Sequence, residues 1–235
     1  MTRPPRWGHT TCLLLAVGLC LSAAAARPAA RTPSLSSAEQ FLKRPIERLT
    51  TYRAWRRLEG VNTRFNKSAW MEIVTEVHPD GRFEWRELSR GGSDWVLEKA
   101  LEPVIKTESE ASPKSRASSE LNTQNYTFTD ASTDTDGRAR IRVVPTRKEK
   151  YLVDGWLVVS PDTADLIQVR GRLAKSPSFW VPTVNFERHY ARILGVRVPV
   201  LVTSEADVRL AGRFSFKMTF RYEHIDGRVV SAEPK

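Results

Sequence analysis

Cysteine is almost missing from this 235-residue chain, which has two, Cys12 and Cys20, both near the amino terminus. Everything after residue 20 therefore lacks a thiol and can form neither a disulfide nor a cysteine-based metal site. Histidine is also scarce, with four residues. None of them stands in an H-x-x-x-H or H-E-x-x-H arrangement, which disfavours a zinc site. We expect no metal and no cofactor.

Signatures of catalysis are missing as well. The sequence contains no G-x-S-x-G, which would mark the nucleophile of a lipase-type hydrolase, and no S-x-x-K. We therefore predict that the protein is not an enzyme. Glu187 and His189 keep a catalytic alternative open, because residues two apart on a strand share a face and such a pair in a pocket can perform acid–base chemistry.

The one long apolar run, Cys12 to Leu21, is too short to span a membrane comfortably. It follows a basic start and precedes the small residues 22–26, an order typical of a secretory signal peptide cleaved after Ala26. We expect residues 1–26 to be removed and the protein to be periplasmic. No lipid anchor is expected, because Leu19 precedes Cys20 where a lipoprotein signal has a small residue.

Positive charge is in excess, with 37 Lys and Arg against 27 Asp and Glu, a formal +10 that becomes +8 once Arg3 and Arg6 leave with the signal. An exported basic protein rarely meets nucleic acid. An anionic membrane surface or envelope proteins are the partners that this charge favours, although it can also serve solubility alone. We expect a monomer.

Residues 27–35 are rich in Pro and Ala and are predicted to be disordered. Ser36 is the predicted cap of an amphipathic helix closed by Gly60, whose apolar residues are Phe41, Leu42, Ile46, Leu49, Trp55 and Leu58. A second short helix, capped by Ser93 or Asp94, is predicted to carry Trp95 to Ile105. Residues 108–123 have almost no apolar side chain and are predicted to be a mobile insertion within a single domain, 36–230.

Strict alternation of apolar and polar residues dominates the rest of the chain and is clearest in GRFSFKMTFRYEHIDG, residues 212–227. The connections are short, which requires antiparallel pairing, and several strands exceed ten residues. We predict an α+β fold: a strongly curved antiparallel β-sheet, an unclosed half-barrel, with an N-terminal helix and a second short helix covering its concave apolar face.

Three features carry a resemblance to a known family. Pro145 is followed by a basic patch, Gly155 lies within the next strand, and Y-x-x-I-x-G-V-R-V-P (190–199) begins a final pair of long strands. Over residues 58–227 this resembles the LolA/LolB-like superfamily of periplasmic lipoprotein and lipid carriers, in particular outer membrane lipoprotein-sorting proteins. The resemblance implies an unclosed barrel with helices as a lid over an apolar cavity that binds acyl chains. Residues 108–123 have no counterpart in the short carriers.

On this interpretation the alternating apolar face lines a lipid-sized cavity, because Met and aromatic side chains adapt to acyl chains. The candidate lining residues are Trp180, Val184, Phe186, Tyr190, Val198, Val200, Phe214, Phe216, Met218 and Phe220. Arg170, Arg172 and Lys175 are a candidate rim for a lipid headgroup or a partner. The alternative is that these apolar side chains are ordinary core, in an envelope interaction or regulatory module without lipid cargo.

Overall fold

Antiparallel pairing joins all the strands that the structure describes into one sheet. The computed structural model describes residues 36–231 apart from 46, 48, 112–117, 150 and 177–180. Of Ala131 it describes the backbone but not the side chain. The predicted signal peptide, the predicted disordered segment 27–35 and the candidate Trp180 lie outside the described residues. All described residues belong to one compact unit.

The sheet has eleven strands, and the strand at one of its two edges is from the first half of the chain. The strands are β1 (Tyr52–Asn62), β2 (Lys67–Val77), β3 (Phe83–Gly92), β4 (Tyr126–Thr133), β5 (Ala139–Pro145), β6 (Val153–Val159), β7 (Leu166–Leu173), β8 (Thr183–Ile193), β9 (Val196–Val208), β10 (Gly212–Ile225) and β11 (Arg228–Val229). Their order is β3-β2-β1-β10-β9-β8-β7-β6-β5-β4, with β11 on β10. Because β3 and β4 are edges, the sheet is unclosed, and the predicted antiparallel, unclosed sheet is confirmed.

The N-terminal helix α1 (Ser37–Lys43) begins where the sequence predicts. The Ser36 hydroxyl accepts a hydrogen bond from the amide of Glu39, and the Glu39 carboxylate accepts one from the amide of Ser36, which completes a capping box. The predicted continuation to Gly60 is wrong, because β1 occupies that stretch. Arg56 points inward in β1 and is buried, so a charge on the apolar face hides the alternation of that strand.

The second predicted helix is confirmed as one continuous helical segment. It consists of α2 (Asp94–Val96), a π-helical stretch (Leu97–Leu101) and α3 (Glu102–Ser109). The predicted mobile insertion overlaps its end, since Glu108 and Ser109 belong to α3. Residues 118–125 form turns. Within them, Nδ2 of the buried Asn125 donates to the carbonyl of Glu120 at 2.8 Å.

Buried apolar side chains form three clusters on the sheet. One cluster joins α1 to β4–β7, a second joins the helical segment to β1, β2, β9 and β10, and a third includes Ala54, Val198 and Tyr222. In the described part of the chain, no helix is long and apolar enough to cross a membrane.

Candidate functional site

Strand alternation gives the sheet a helix-covered face, on which the helical segment 94–109 packs, and an opposite face. On β10, Phe214, Phe216, Met218 and Phe220 belong to the helix-covered face, where they pack in or against the second cluster. The register places Met218 between Leu58 of β1 and Val202 of β9. Phe216 is 8% exposed and Met218 6%, and both belong to the cluster that contains the buried residues of the helical segment.

The other predicted lining residues are distributed among different surroundings. Phe186 packs against both the first and the second cluster, Tyr190 against the first, and the buried Val198 belongs to the third. Val184 and Val200 are half-buried outside these clusters. The prediction therefore groups residues that the structure divides among three parts of the core, with the β10 residues beside the helical segment.

The helical segment lies directly on β1 at Gly60. A Cβ at this position would lie 2.8 Å from Cζ of Phe214, 3.0 Å from Cγ1 of Val96 and 3.1 Å from Cδ2 of Leu101. Val96, Leu97, Leu101 and Ile105 of the segment are all buried. Because Gly60 has no side chain, the helical segment can pack closely on the sheet. We call this segment the cover.

A buried charge lies at the other end of this contact. Arg56 of β1 is 1% exposed, and its Nη1 donates to Oε2 of Glu108 at 2.6 Å while Nη2 donates to Oε1 at 3.0 Å. Nη2 also donates to the hydroxyl of Tyr52 at 2.5 Å. Such bidentate pairing is the strong form of an arginine–carboxylate contact. It fixes the last turn of α3 to the first strand.

Aromatic rings surround the Arg56 guanidinium. Its Cζ lies 4.7 Å from the ring centre of Phe220, 5.6 Å from that of Phe83 and 5.7 Å from that of Tyr52. Burial opposes the charge, but Glu108 holds the pKa of Arg56 above its ordinary value. Burial also raises the pKa of Tyr52 and of Tyr222, so both phenols stay neutral. Within the described chain, Arg56 Nε has no hydrogen-bond partner.

The candidate rim lies elsewhere. Arg170 and Arg172 project from the opposite face of β7, where Arg170 is directly across from Trp156 of β6. The guanidinium of Arg140 lies 4.8 Å from the Trp156 ring centre, and Arg172 lies 3.6 Å from Asp154. Lys175 is exposed after the end of β7. Arg170 therefore lies beside Trp156 on the opposite face, and Arg172 shares that face of β7, which the helical segment does not cover.

A groove of about 870 Å³ with a mixed polar and apolar lining also runs across the opposite face, from Trp156 on β6 to Glu59 on β1. Glu187 lines it, and His189 Nε2 lies 2.6 Å from Oε1 of that carboxylate, which also accepts from the side chain of Gln168. The pair singled out in the sequence is therefore formed. Among the described residues, no cluster of His, Cys, Asp and Glu could hold a metal ion.

Sequence reasoning missed Arg56 and Glu108. Arg56 fell within the predicted first helix and Glu108 within the predicted mobile insertion. The available signal was the spacing of Ala54, Arg56 and Leu58, which fits period two and places the arginine inward.

Comparison with known proteins yields structural similarity only. No protein-family model matches the chain, and neither does any curated protein. A LolA superfamily protein from Nitrosomonas europaea is similar in structure, with 8% identity and a TM-score of 0.40 over 85% of this chain and 96% of that one. A putative outer membrane lipoprotein-sorting protein domain from Vibrio parahaemolyticus gives 9% and 0.38 over 76% and 87%.

A DUF1329 family protein from Desulfovibrio piger gives 8% identity and a TM-score of 0.34, over 75% of this chain and 87% of that one. The solved structures thus include members of the superfamily that the sequence resembles. At such low identities and scores they supply no residue-by-residue correspondence, so the function has to come from the geometry of this chain's own side chains.

Proposed function

We propose that the protein is a non-catalytic carrier or sensor of the cell envelope that binds an acyl chain of a lipid or lipoprotein between the helical segment 94–109 and the sheet. The observation that carries this proposal is the cover itself. A short helical segment, held by the Arg56–Glu108 pair, lies over the Phe and Met side chains of β10. Residues 1–26 are proposed as the signal peptide that exports it.

The helical segment 94–109, which covers the sheet, has the features of an element that an acyl chain can displace. It packs through a few side chains, Val96, Leu97, Leu101 and Ile105, each worth about 1.5–3 kcal/mol on burial. A long acyl chain gains about 0.8 kcal/mol per buried methylene. The free energy of replacing the contacts of these side chains by contacts with an acyl chain is therefore close to zero. A carrier that loads and releases its cargo needs such a balance. The π-helical turn in the middle is a kind of irregularity found often at functional sites.

The second candidate is an interaction module with a permanently filled core. It is favoured by the burial of Phe216 and Met218 against the helical segment, which is what an ordinary core also shows. The two proposals differ in one property, namely whether the helical segment yields to an acyl chain.

Titration with a fluorescent fatty acid, cis-parinaric acid, distinguishes them. We expect the wild-type protein to bind the probe. Glu108→Gln should bind it more tightly, because it loosens the cover without touching the apolar face. Glu84→Gln is the matched control, since its largely exposed ion pair with Arg82 lies where the β2–β3 turn enters β3 and includes no residue of the helical segment. Failure of both the wild type and Glu108→Gln to bind would reject the carrier and leave the interaction module.

A further inference from the structure

Turns at one end of the sheet carry exposed apolar side chains that the proposed cargo site does not use. The β1–β2 and β9–β10 turns meet there: the amide of Thr63 donates to the carbonyl of Arg213 at 3.2 Å, and Nδ2 of Asn62 to the carbonyl of Ala211 at 2.9 Å. Four large apolar residues are exposed at this end, Val61 by 41%, Phe65 by 48%, Trp95 by 36% and Leu210 by 76%. We call these four residues the apolar tip.

Contacts link the tip to neighbouring cations. The rings of Phe65 and Trp95 meet edge to face with centres 6.3 Å apart. The guanidinium of Arg64 lies 5.8 Å from the Phe65 ring, and Nζ of Lys67 lies 5.9 Å from the Trp95 ring. Phe65 and Trp95 of the tip thus form one apolar contact flanked by two basic side chains, and they are not scattered singly.

Charge at this end is mainly positive. Segments 62–67, 93–95 and 209–213 carry four cations, Arg64, Lys67, Arg209 and Arg213, against one carboxylate, Asp94. Asp207 at the end of β9 adds a second, 3.8 Å from Arg213 in a pair that is about two-thirds exposed and weak. The turns at the other end contain several aspartates: Asp80, Asp134, Asp136, Asp162 and Asp226. The protein therefore presents its basic, apolar end preferentially to a negative surface.

Leu210 is the most exposed of these residues, and its backbone has φ 66° in the left-handed region that Gly and Asn favour. Packing therefore gives no reason for a leucine here. Outward apolar side chains on a turn, with tryptophan and basic residues beside them, suit the interface of a bilayer, where rings and aliphatic groups enter the headgroup region and cations meet phosphates.

We propose that the apolar tip docks this protein on an anionic phospholipid bilayer, with Leu210 and Phe65 entering the interface and Arg64 and Lys67 contacting lipid phosphates. The tip is formed by the end of β1, two turns and the start of the helical segment, and none of its four side chains belongs to the second cluster. Docking therefore does not depend on the acyl-chain proposal and can be measured without cargo.

Co-sedimentation with vesicles tests the proposal. One vesicle contains phosphatidylcholine alone and the other an equal mixture of phosphatidylcholine and phosphatidylglycerol. We expect the wild type to sediment with the mixed vesicles, to bind the neutral ones far less, and to be released by salt. Loss of one leucine from the interface should weaken binding about ten-fold, and Arg64→Ser about five-fold.

Leu210→Asn is the decisive variant, because asparagine suits the left-handed backbone and thermal unfolding should show a fold at least as stable as the wild type. Leu194→Asn is the matched control: Leu194 also has positive φ (51°) but lies in the β8–β9 turn at the other end. It should bind like the wild type. Equal binding by Leu210→Asn, or equal sedimentation of the wild type with neutral vesicles, would overturn the proposal.

Discussion

Arg56 on the first strand of the sheet and Glu108 in the last turn of α3 form the ion pair that closes the helical segment over the sheet, with Nη1 and Oε2 2.6 Å apart. The arginine is 1% exposed as a side chain, whereas the glutamate is 36% exposed. One partner therefore has no access to water and the other does. Water therefore reaches this pair through Glu108 on the helical segment and not through Arg56.

Removing the carboxylate should destabilise the protein by leaving a buried cation unpaired. We expect Glu108→Gln to lower the free energy of unfolding by about 1–3 kcal/mol, at the lower end for a buried pair because Glu108 is partly solvated. Urea unfolding measures this change. The double variant Arg56→Met with Glu108→Gln should recover most of the stability, because a buried pair replaced by an apolar side chain is often neutral. No recovery would show that the arginine itself is needed by the fold.

A methyl group at Gly60 should push the cover away from the sheet. The Cβ of Gly60→Ala would lie within 3.1 Å of side-chain atoms on both the helical segment and β10. Overpacking of this kind lowers the free energy of unfolding by about 1–3 kcal/mol. We also expect stronger fluorescence of a dye that binds exposed apolar surface, because the cover is displaced. Unchanged stability and dye binding would mean that the segment already moves freely.

Met218→Ala distinguishes packing from cargo binding. Truncating a side chain that is 6% exposed in the second cluster should destabilise the cargo-free protein by about 2–5 kcal/mol, measured by urea unfolding. If an acyl chain binds beside it, added fatty acid should restore part of the lost stability by filling the space. Destabilisation that fatty acid does not reduce would identify Met218 as core alone.

Asp165 makes stability dependent on acid pH. Its Oδ2 accepts from Nε of Arg192 at 2.8 Å, and Arg44 lies 3.6 Å away. Burial would raise the pKa of Asp165, but these cations hold it below its ordinary value. A lowered carboxyl pKa contributes stability that is complete above the unfolded value of about 3.9 and is lost as pH falls through the folded value.

Asp165→Asn should therefore lower stability by about 1 kcal/mol at neutral pH and reduce the loss of stability below pH about 4. Urea unfolding at a series of pH values gives both quantities. Asp136→Asn, whose carboxylate is largely exposed beside Arg138, is the control and should change neither. An acid profile of Asp165→Asn identical to the wild type would show that Asp165 does not supply the pH dependence.

Period-two alternation predicts most of the strands, because strands such as β2 and β10 bury one face. The turn between β2 and β3, the helix carrying Trp95 and Ile105, and the capping box at Ser36 all follow from local chemistry. The alternation fails at β1, where Arg56 occupies an inward position. The residues around Arg56 do not indicate its partner, because Glu108 is distant in sequence and begins a segment with almost no apolar residue.

The candidate site was predictable only in part. The shared face of Phe216 and Met218 follows from alternation, but the partition of the predicted set into three clusters depends on which strands pair. The register places β10 between β1 and β9, a contact between distant parts of the chain. Arg170 was assigned to a rim from its neighbours in sequence, whereas alternation within β7 points it to the opposite face beside Trp156.

Native mass spectrometry of the protein purified from an envelope fraction, followed by organic extraction, tests the central claim most directly. The account predicts mass increments that match a phospholipid or an acylated peptide, and their loss after extraction. A bare protein that also takes up no added fatty acid would contradict it, and would make the covered face of β10 an ordinary core.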